Sequence, residues 1–451
     1  MSDDILITNC TLASQHSRQL EKNCYVSVKK GIIATCGPMT KCPETHPGTL
    51  LDAEQKLLMP GLVNSHNHCA MTLFRGLADD LALTAWLHDH IFPAEARHVD
   101  PDMVYWSSKL AAAEMILSGT TAVADGYFFS DRSAAALLDA GMRAVIAHGI
   151  VDFAAPSVPD PRKNIEAARL FIECWRGVSD RIKPAVFAHA PYTCSPATLQ
   201  GAKMLADDND VRFFIHLAES GAEHSMIIDP QGSSPVRHLD NLGLLDNNCV
   251  CVHCVWLDDQ DIEILAASGA HVVTCPQSNL KLSSGIARIQ EMLDHSISLG
   301  IGTDSGASNN SLDMFREMDM LAKIQKSATA RATAMSASTV LQKATSGGAH
   351  VIGLENCGSL IPGAQADIIL INTNAVHLTP LYNQDLLVYG ASGSDVDSVI
   401  VGGKIIMRRR EILSFDLEEV YHEVRWRAEQ VYRSYLSRTL RNSEPGLTDG
   451  G

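Results

Sequence analysis

Between residues 57 and 302 the sequence repeats one pattern: a short apolar segment, a cluster of polar residues, and then a stretch with helical periodicity. The apolar segments have the length and composition of buried strands, and several intervening stretches, such as Asp100–Ser118 and Asn164–Trp175, are amphipathic. The strand candidates are Leu57–Asn64, Thr120–Asp125, Arg143–Gly149, Ala185–His189, Val211–His216, Asn248–His253, His271–Thr274 and Ile297–Gly302. Eight strands that alternate with helices predict an α/β fold, the (β/α)8 TIM barrel.

The sequence on both sides of this region reads as short strands separated by Gly and Pro turns. These strand candidates are Ile5–Thr8, Tyr25–Lys29, Ile32–Cys36, Ala366–Ile371 and Ser398–Val401. We expect the two chain ends to form one small β-sandwich domain, with residues 1–56 as its first part and 358–412 as its second. The barrel would then occupy residues 57–357. Residues 413–451 would form a C-terminal helix, predicted over Leu417–Leu440, and a tail.

The composition excludes several classes of partner. The chain has 36 Lys and Arg against 52 Asp and Glu, which gives a formal net charge of −16, and such a chain would repel a phosphate backbone. No apolar stretch is long enough to span a membrane, and the first residues lack a basic, apolar leader. We therefore expect a cytoplasmic protein without nucleic-acid or membrane partners. A homo-oligomer is compatible with the sequence, but no residue indicates its symmetry.

Polar residues of the kind that bind ligands follow almost every predicted strand. They are His66, His68, Asp125, His148, His189, His216, Glu219, His253, Asn279 and Asp304. In (β/α)8 barrels the carboxyl ends of the strands meet at one face, and active sites are built there. One histidine at a strand end is usually held by a backbone carbonyl, but histidines at most of the strand ends predict a shared site.

Two of these clusters favour a metal ion. His66 and His68 lie two residues apart on a strand, so that both rings point to the same side and can reach one ion. His216 is followed three residues later by Glu219, a carboxylate that can carry protons between a metal-bound water and a substrate. Asp304 could bind the metal and accept a proton from its water, while His253 could either bind the metal or hydrogen-bond the hydroxide.

The sequence lacks the motifs of several other enzyme classes. The sequence contains no phosphate-binding G-x-x-x-x-G-K-[ST] or G-x-G-x-x-G loop and no G-x-S-x-G serine-hydrolase motif. The H-x-E and P-C-x-x-C pair of the zinc nucleobase deaminases is also absent. The residues favour metal-assisted hydrolysis.

Several motifs of the sequence resemble those of a known family. The similarity rests on Pro60-Gly-Leu-Val-Asn-Ser-His66-Asn-His68, His216-Leu-Ala-Glu219, Val252-His253-Cys254-Val255 and Gly302-Thr-Asp304. These motifs resemble the amidohydrolase superfamily and, within it, the mononuclear cytosine-deaminase-like branch, because His189 stands where two-metal members carry a lysine. Further matches, such as Met71-Thr-Leu-Phe-Arg75-Gly76 and His189-Ala-Pro-Tyr192, are similar to the 5-methylthioadenosine/S-adenosylhomocysteine deaminases.

The resemblance implies one divalent metal ion as cofactor, with zinc expected and iron as the alternative. Its ligands would be His66, His68, His216 and Asp304. Glu219 would protonate the ring nitrogen beside the attacked carbon and assist the departure of ammonia, His253 would position the hydroxide, and Asp304 would accept its proton. The implied substrate contacts are Glu95, His148, His189 and Asn279, with Glu95 on the ribose hydroxyls.

The expected function is therefore that of a hydrolase acting on a C–N bond in a cyclic amidine. It would deaminate an adenine-type nucleoside, namely 5-methylthioadenosine, adenosine or S-adenosylhomocysteine, to the 6-oxo product and ammonia. His148 replaces an arginine expected from the resemblance, and a histidine lacks the bidentate guanidinium, which disfavours S-adenosylhomocysteine. The alternative is a deaminase or chlorohydrolase acting on guanine, a pterin or an s-triazine. A non-enzymatic scaffold would be expected to have lost these ligands.

Overall fold

A computed structural model describes residues 4–13, 18–227 and 234–443 of the chain. The strands in these ranges are β1 Ile5–Ala13, β2 Leu20–Lys29, β3 Ile32–Pro38, β4 Thr49–Asp52, β5 Leu57–Pro60, β6 Leu62–Asn67, β7 Thr120–Tyr127, β8 Arg143–Ile150, β9 Ile182–Ala188, β10 Phe213–Leu217, β11 Cys249–His253, β12 His271–Thr274, β13 Leu299–Ile301, β14 Ile368–Ile371, β15 Val396–Val401, β16 Lys404–Arg408 and β17 Glu411–Ile412.

The α-helices in the same ranges are α1 Leu83–Ala85, α2 Phe92–His98, α3 Pro101–Leu117, α4 Ser130–Asp139, α5 Asn164–Trp175, α6 Pro196–Asp208, α7 Gly221–Ile227, α8 Pro235–Asn241, α9 Asp259–Ser268, α10 Pro276–Lys281, α11 Ile289–Asp294, α12 Gly306–Asn309, α13 Met314–Thr329, α14 Ala337–Gln342, α15 Gly348–Val351, α16 Asp385–Tyr389 and α17 Leu417–Ser443. A π-helix, Trp86–Ile91, joins α1 to α2, and a 3-10 helix, Cys69–Phe74, follows β6. No helix in the described part of the chain is long and apolar enough to cross a membrane.

Strands β6 to β13 form one parallel sheet in which each strand pairs with its neighbour in sequence. The first and last strands meet where the Asp304 amide donates to the carbonyl of His66 at 3.1 Å. Side chains support the same seam: Asn64 Nδ2 donates to Thr303 Oγ1 at 2.7 Å, and the Thr303 amide donates back to Asn64 Oδ1 at 3.0 Å. The predicted (β/α)8 barrel is confirmed.

The predicted strand Leu57–Asn64 is wrong in one respect, because it is two strands. β5 pairs with β1 and β14 in a second sheet, whereas β6 pairs with β7 in the barrel. Gly61 separates them at a point where a Cβ atom would lie 2.1 Å from Thr121 Oγ1. Only glycine allows this close approach. The predicted segment is apolar as far as Val63, so the sequence pattern alone does not reveal the change of sheet.

The second sheet combines both chain ends, as expected, with the order β17-β16-β15-β14-β5-β1-β2-β3 and with β4 beside β1. Its residues alternate between two cores. Leu58, Ile368 and Leu370 pack with the apolar residues of β1 and β2, while Leu57 and Ile369 face the helices of the barrel. The exact domain boundaries stay predictions.

Helix α17 begins at the predicted residue, Leu417, and continues to Ser443. Val420, Val424 and Val431 are buried in a cluster that includes Met103 and Val104 of α3. The helix therefore packs on the outside of the barrel through one apolar stripe. The tail was predicted from Asn442 to Gly451, but the helix includes its first two residues, and residues 444–451 lie outside the described residues.

A buried ion pair joins the barrel to the second sheet. Arg143, the first residue of β8, donates from Nε to Asp367 Oδ2 at 2.7 Å, and the two side chains are 4% and 2% exposed. Asp367 Oδ1 also accepts the amide of Gly402, in the turn after β15, at 2.7 Å. Loss of one partner would leave a buried charge without its counter-ion.

We expect Asp367→Ala to lower the free energy of unfolding by about 3–5 kcal/mol, the range for breaking a buried ion pair. Denaturant unfolding followed by circular dichroism measures this. The matched control is Asp160→Ala, which removes an ion pair with the exposed Arg162 and should change stability little. Equal effects of the two substitutions would contradict the role of the buried pair.

Candidate active site

Three imidazole rings converge at the carboxyl-terminal face of the barrel. His66 and His68 come from the end of β6, and His216 comes from β10. The Nε2 atom of His216 lies 3.3 Å from Nε2 of both His66 and His68. The second nitrogen of His68, Nδ1, donates to the carbonyl of Gly126 at 2.5 Å. This bond leaves Nε2 as a lone-pair donor toward the centre of the cluster.

Asp304 brings a carboxylate to the same point. Its Oδ1 atom lies 3.5 Å from His66 Nε2 and 3.6 Å from His68 Nε2. The other oxygen, Oδ2, accepts hydrogen bonds from Ser278 Oγ at 2.6 Å and Ser308 Oγ at 2.7 Å. The two serines thereby orient Oδ1 toward the histidines. Both hydroxyls are part of the site but carry no signal of this role in the sequence.

The charge states suit a cation. Burial lowers the pKa of His66 to about 3 and the pKa of His216 well below its usual range, so both rings are neutral at pH 7. Burial raises the pKa of Asp304, but its hydrogen bond with His66 and the neighbouring imidazoles outweigh this and hold that pKa well below its usual range. Three imidazole nitrogens and one carboxylate oxygen are a donor set that fits a divalent metal ion.

Glu219 and His253 lie beside this cluster. Glu219 is 7% exposed, and its Oε2 atom is 3.8 Å from His253 Nε2. Burial raises the pKa of Glu219, which favours the protonated acid. His253 donates from Nδ1 to Asn279 Oδ1 at 2.8 Å, so Nε2 is the ring nitrogen that points toward Glu219.

Two predicted substrate contacts lie elsewhere. Asn279 is 2% exposed and holds His253 from behind, and it is not among the residues that line the cavity described below. His148 lies on the outer side of β8, where it bonds Ser130 Oγ at 3.0 Å and packs on Phe171. Alternation explains its position: Val145 and Ala147 face the barrel interior, so His148 faces the helices. The expectation that His148 contacts substrate is therefore corrected.

Glu95 and His189 line the cavity. Tyr127 donates its hydroxyl to Glu95 Oε1 at 2.6 Å, and burial raises the pKa of Glu95 to about 7. His189 bonds Thr193 Oγ1 at 3.0 Å through Nδ1, and its ring centre lies 4.9 Å from that of His216. Burial lowers the pKa of His189 to about 3. Tyr127 was not identified from the sequence.

One cavity connects these groups. Its polar lining comprises His68, Glu95, Tyr127, His189, Tyr192, His216, Glu219, His253, Asp304 and Ser305. Most of the remaining lining is apolar and comes from the segment 83–96 and from residues 150–156, at and after the end of β8. A mostly apolar cavity with a few polar groups is the usual form of a small-molecule site.

The model of the "Amidohydrolase family" matches residues 57–406. The chain belongs to the amidohydrolase family. It is 45% identical over 387 residues to 5-methylthioadenosine/S-adenosylhomocysteine deaminase 1 of Syntrophus aciditrophicus, covering 85% of this chain and 87% of that protein. It is 44% identical over 374 residues to 5'-deoxyadenosine deaminase of Methanothermobacter thermautotrophicus, covering 83% and 86%.

A solved structure has the same fold. The crystal structure of an adenosine deaminase from Xanthomonas campestris, with bound zinc, aligns with a TM-score of 0.92 at 34% identity. The alignment covers 95% of this chain and 99% of that one. Family membership and the histidine cluster together support a divalent metal in this amidohydrolase.

We expect His216→Ala to reduce the bound metal from about one ion per chain to well below half, because it removes one of the converging nitrogen donors. Metal content after gel filtration, measured by inductively coupled plasma mass spectrometry, tests this. The control is His88→Ala, an exposed histidine of the π-helix, which should retain the metal. Full metal content in His216→Ala would contradict the assignment of the cluster.

Glu223, on the first turn of α7, supports Glu219 and was also missed by the sequence analysis. Its carboxyl accepts the backbone N–H of Glu219 at 2.8 Å and also that of Ala218. The side chain is 1% exposed, and burial raises its pKa to about 8 although these bonds lower it. Ala218 has a φ of 51°, in the left-handed region. Glu223 thus stabilises the bend that presents Glu219.

Glu223→Ala should lower kcat about tenfold with little change in KM or metal content, since two buried N–H groups lose their acceptor. Glu223→Gln keeps a side-chain oxygen that can accept one of these bonds and should recover most of the loss. Steady-state kinetics on the metal-loaded variants separates the two effects. Equal damage from both variants would show that the charge matters rather than the acceptor.

Proposed function

We propose that this amidohydrolase deaminates an adenine-type nucleoside hydrolytically to the 6-oxo product and ammonia. The observation that carries the proposal is a buried carboxyl, Glu219, beside the histidine cluster and in the same cavity as Glu95. The Glu219 carboxyl suits proton transfer to a ring nitrogen, and the Glu95 carboxyl suits hydrogen bonds with sugar hydroxyls. The names of the two deaminase relatives and of the adenosine deaminase structure support the same substrate class.

The proposed metal ligands are His66, His68, His216 and Asp304. Zinc is the proposed ion, because imidazole and carboxylate donors suit it and the similar adenosine deaminase contains it; iron is the alternative. When bound, such an ion lowers the pKa of a water molecule and makes it a nucleophile at neutral pH.

The residues around the water move its protons. Asp304 accepts one proton as the water oxygen adds to C6 of the ring, and His253 orients the water through Nε2, the nitrogen that does not bond Asn279. Glu219, protonated at the start, donates its proton to N1 beside the attacked carbon. The ring then carries a hydroxyl and an amino group on the same carbon.

The second half of the reaction restores both carboxyls. The hydroxyl proton returns to Glu219, and the proton held by Asp304 passes to the amino group. The C6–N bond breaks, ammonia leaves, and the 6-oxo ring remains protonated at N1. The roles require that Glu219 starts as an acid and Asp304 as a base, and their opposite pKa shifts agree with this.

Glu95 is the proposed ribose ligand, since a carboxylate can accept hydrogen bonds from two adjacent hydroxyls. Its bond from Tyr127 fixes one oxygen and leaves accepting capacity toward the cavity. His189, neutral beside His216, is the proposed contact to the ring. The cytoplasmic location and a homo-oligomeric state stay predictions.

The alternative is hydrolysis of another ring, such as guanine, a pterin, or an amino- or chloro-triazine. A small ring would leave Glu95 buried without a ligand. Chloride also needs no proton as it leaves, so a dechlorination would have little use for Glu219 as an acid. Both points favour the nucleoside.

The direct test is ammonia release by the zinc-loaded protein from a panel of adenosine, 5-methylthioadenosine, S-adenosylhomocysteine, guanine, a pterin and amino- and chloro-triazines. We expect turnover of adenine nucleosides. Turnover of another ring alone would agree with a hydrolase but would reject adenine nucleosides as its substrate class.

Glu219→Gln should reduce kcat on the active nucleoside by about 10²- to 10⁴-fold, the usual contribution of a general acid, with metal content unchanged. The matched control is Glu166→Gln on α5, where the carboxylate is exposed and pairs with Arg169, and its activity should equal that of the parent. Ammonia release that survives nearly intact in Glu219→Gln would reject the proton-transfer role.

A further inference from the structure

The side chains that line the cavity fall into two chemically different sets. The titratable set comprises members of the histidine cluster, their neighbours and Glu95. The rest is formed by apolar side chains from two segments: Trp86, Leu87, Ile91 and Phe92 on one side, and Val151, Phe153 and Pro156 on the other. The rings of Phe92 and Phe153 lie 5.9 Å apart between centroids, so the two segments meet there.

The carboxyl groups in the lining are those of Glu95, Glu219 and Asp304. No lysine or arginine side chain that the structure describes lines the cavity. Lys281 precedes the lining residue Leu282, but its ammonium group is held by Asp79 at 2.6 Å and Asn310 at 2.7 Å.

A nucleoside likewise has chemically different parts. On the proposed function, the ring occupies the histidine end, and the sugar hydroxyls reach Glu95. The part of the substrate still without a partner is the substituent on the 5′ carbon, and the part of the cavity still without a ligand is apolar. A charged substituent there would lose part of its water without gaining a counter-ion, which is unfavourable.

We propose that the apolar part of the cavity holds the 5′ substituent and selects uncharged, apolar groups, with Phe92 and Phe153 as specificity-determining residues. This inference rests on the proposed function and narrows it. A methylthio group or a hydrogen at the 5′ carbon fits, whereas the homocysteinyl group, which carries a carboxylate and an ammonium, is rejected. His148 has no part in this selection, because its ring faces the outer helices.

The experiment compares kcat/KM for four nucleosides on the zinc-loaded protein: 5-methylthioadenosine, 5′-deoxyadenosine, adenosine and S-adenosylhomocysteine. We expect 5-methylthioadenosine to exceed S-adenosylhomocysteine by about 100-fold, the cost of desolvating charges that find no partner. Adenosine, with a neutral but polar 5′ hydroxyl, should lie between them.

Two variants test the residue assignment. Phe153 is 40% exposed, so Phe153→Arg can keep its charge hydrated and fold, and its guanidinium would give the homocysteinyl carboxylate a partner. We expect the preference for 5-methylthioadenosine to shrink at least about tenfold in Phe153→Arg and to persist in the matched control Phe153→Leu.

The outcomes are distinguishable. Deamination of S-adenosylhomocysteine within threefold of 5-methylthioadenosine by the parent protein overturns the selection and leaves the proposed function intact. Equal preferences in Phe153→Arg and Phe153→Leu overturn the role of Phe153. Failure to release ammonia from any of the four nucleosides, with turnover of another ring, rejects the proposed function and this inference together.

Discussion

The seam between the first and last barrel strands is the constraint on which the rest of the site depends. It joins residues that are far apart in the chain: the Asp304 amide bonds the His66 carbonyl at 3.1 Å, and Asn67 Nδ2 donates to the Asp304 carbonyl at 2.8 Å. Two donors from β6 and one from the end of β13 therefore meet only because the sheet closes. An open sheet with the same strands would separate them by its whole width.

Burial shifts the pKa values of the two carboxyls in this site and so prepares them for acid–base chemistry. In one low-dielectric cavity the pKa of Glu219 rises through loss of solvation, while the pKa of Asp304 falls because the surrounding imidazoles outweigh the same loss. Two carboxyls separated in this way can serve as acid and base at one pH. Their neighbours, Ser278 on Asp304 and Glu223 on the Glu219 backbone, hold each group in place. The site is thus defined by supporting contacts as much as by its reactive groups.

The barrel was predictable because its strands carry a local signal. Buried apolar segments of the right length alternate with helices, and seven of the eight strands were found close to their observed positions. The exception, Leu57–Asn64, contains no local sign that its first half belongs to the second sheet, because it is apolar as far as Val63 and buried throughout. The choice depends on Gly61 and on the partners that β5 finds in β1 and β14, which are distant in sequence.

The sequence by itself determined the types and spacing of the reactive residues: His-x-His, His-x-x-Glu, and an aspartate after the last strand. Residue chemistry and strand periodicity suffice for this. Only the tertiary structure decided which predicted contacts reach the cavity. His148 faces the helices, since strand parity and pairing set its direction, and Asn279 holds His253 rather than lining the cavity. The apolar part of the cavity is also formed by two segments that are distant in the sequence. A contact between such segments cannot be recognised from either segment alone.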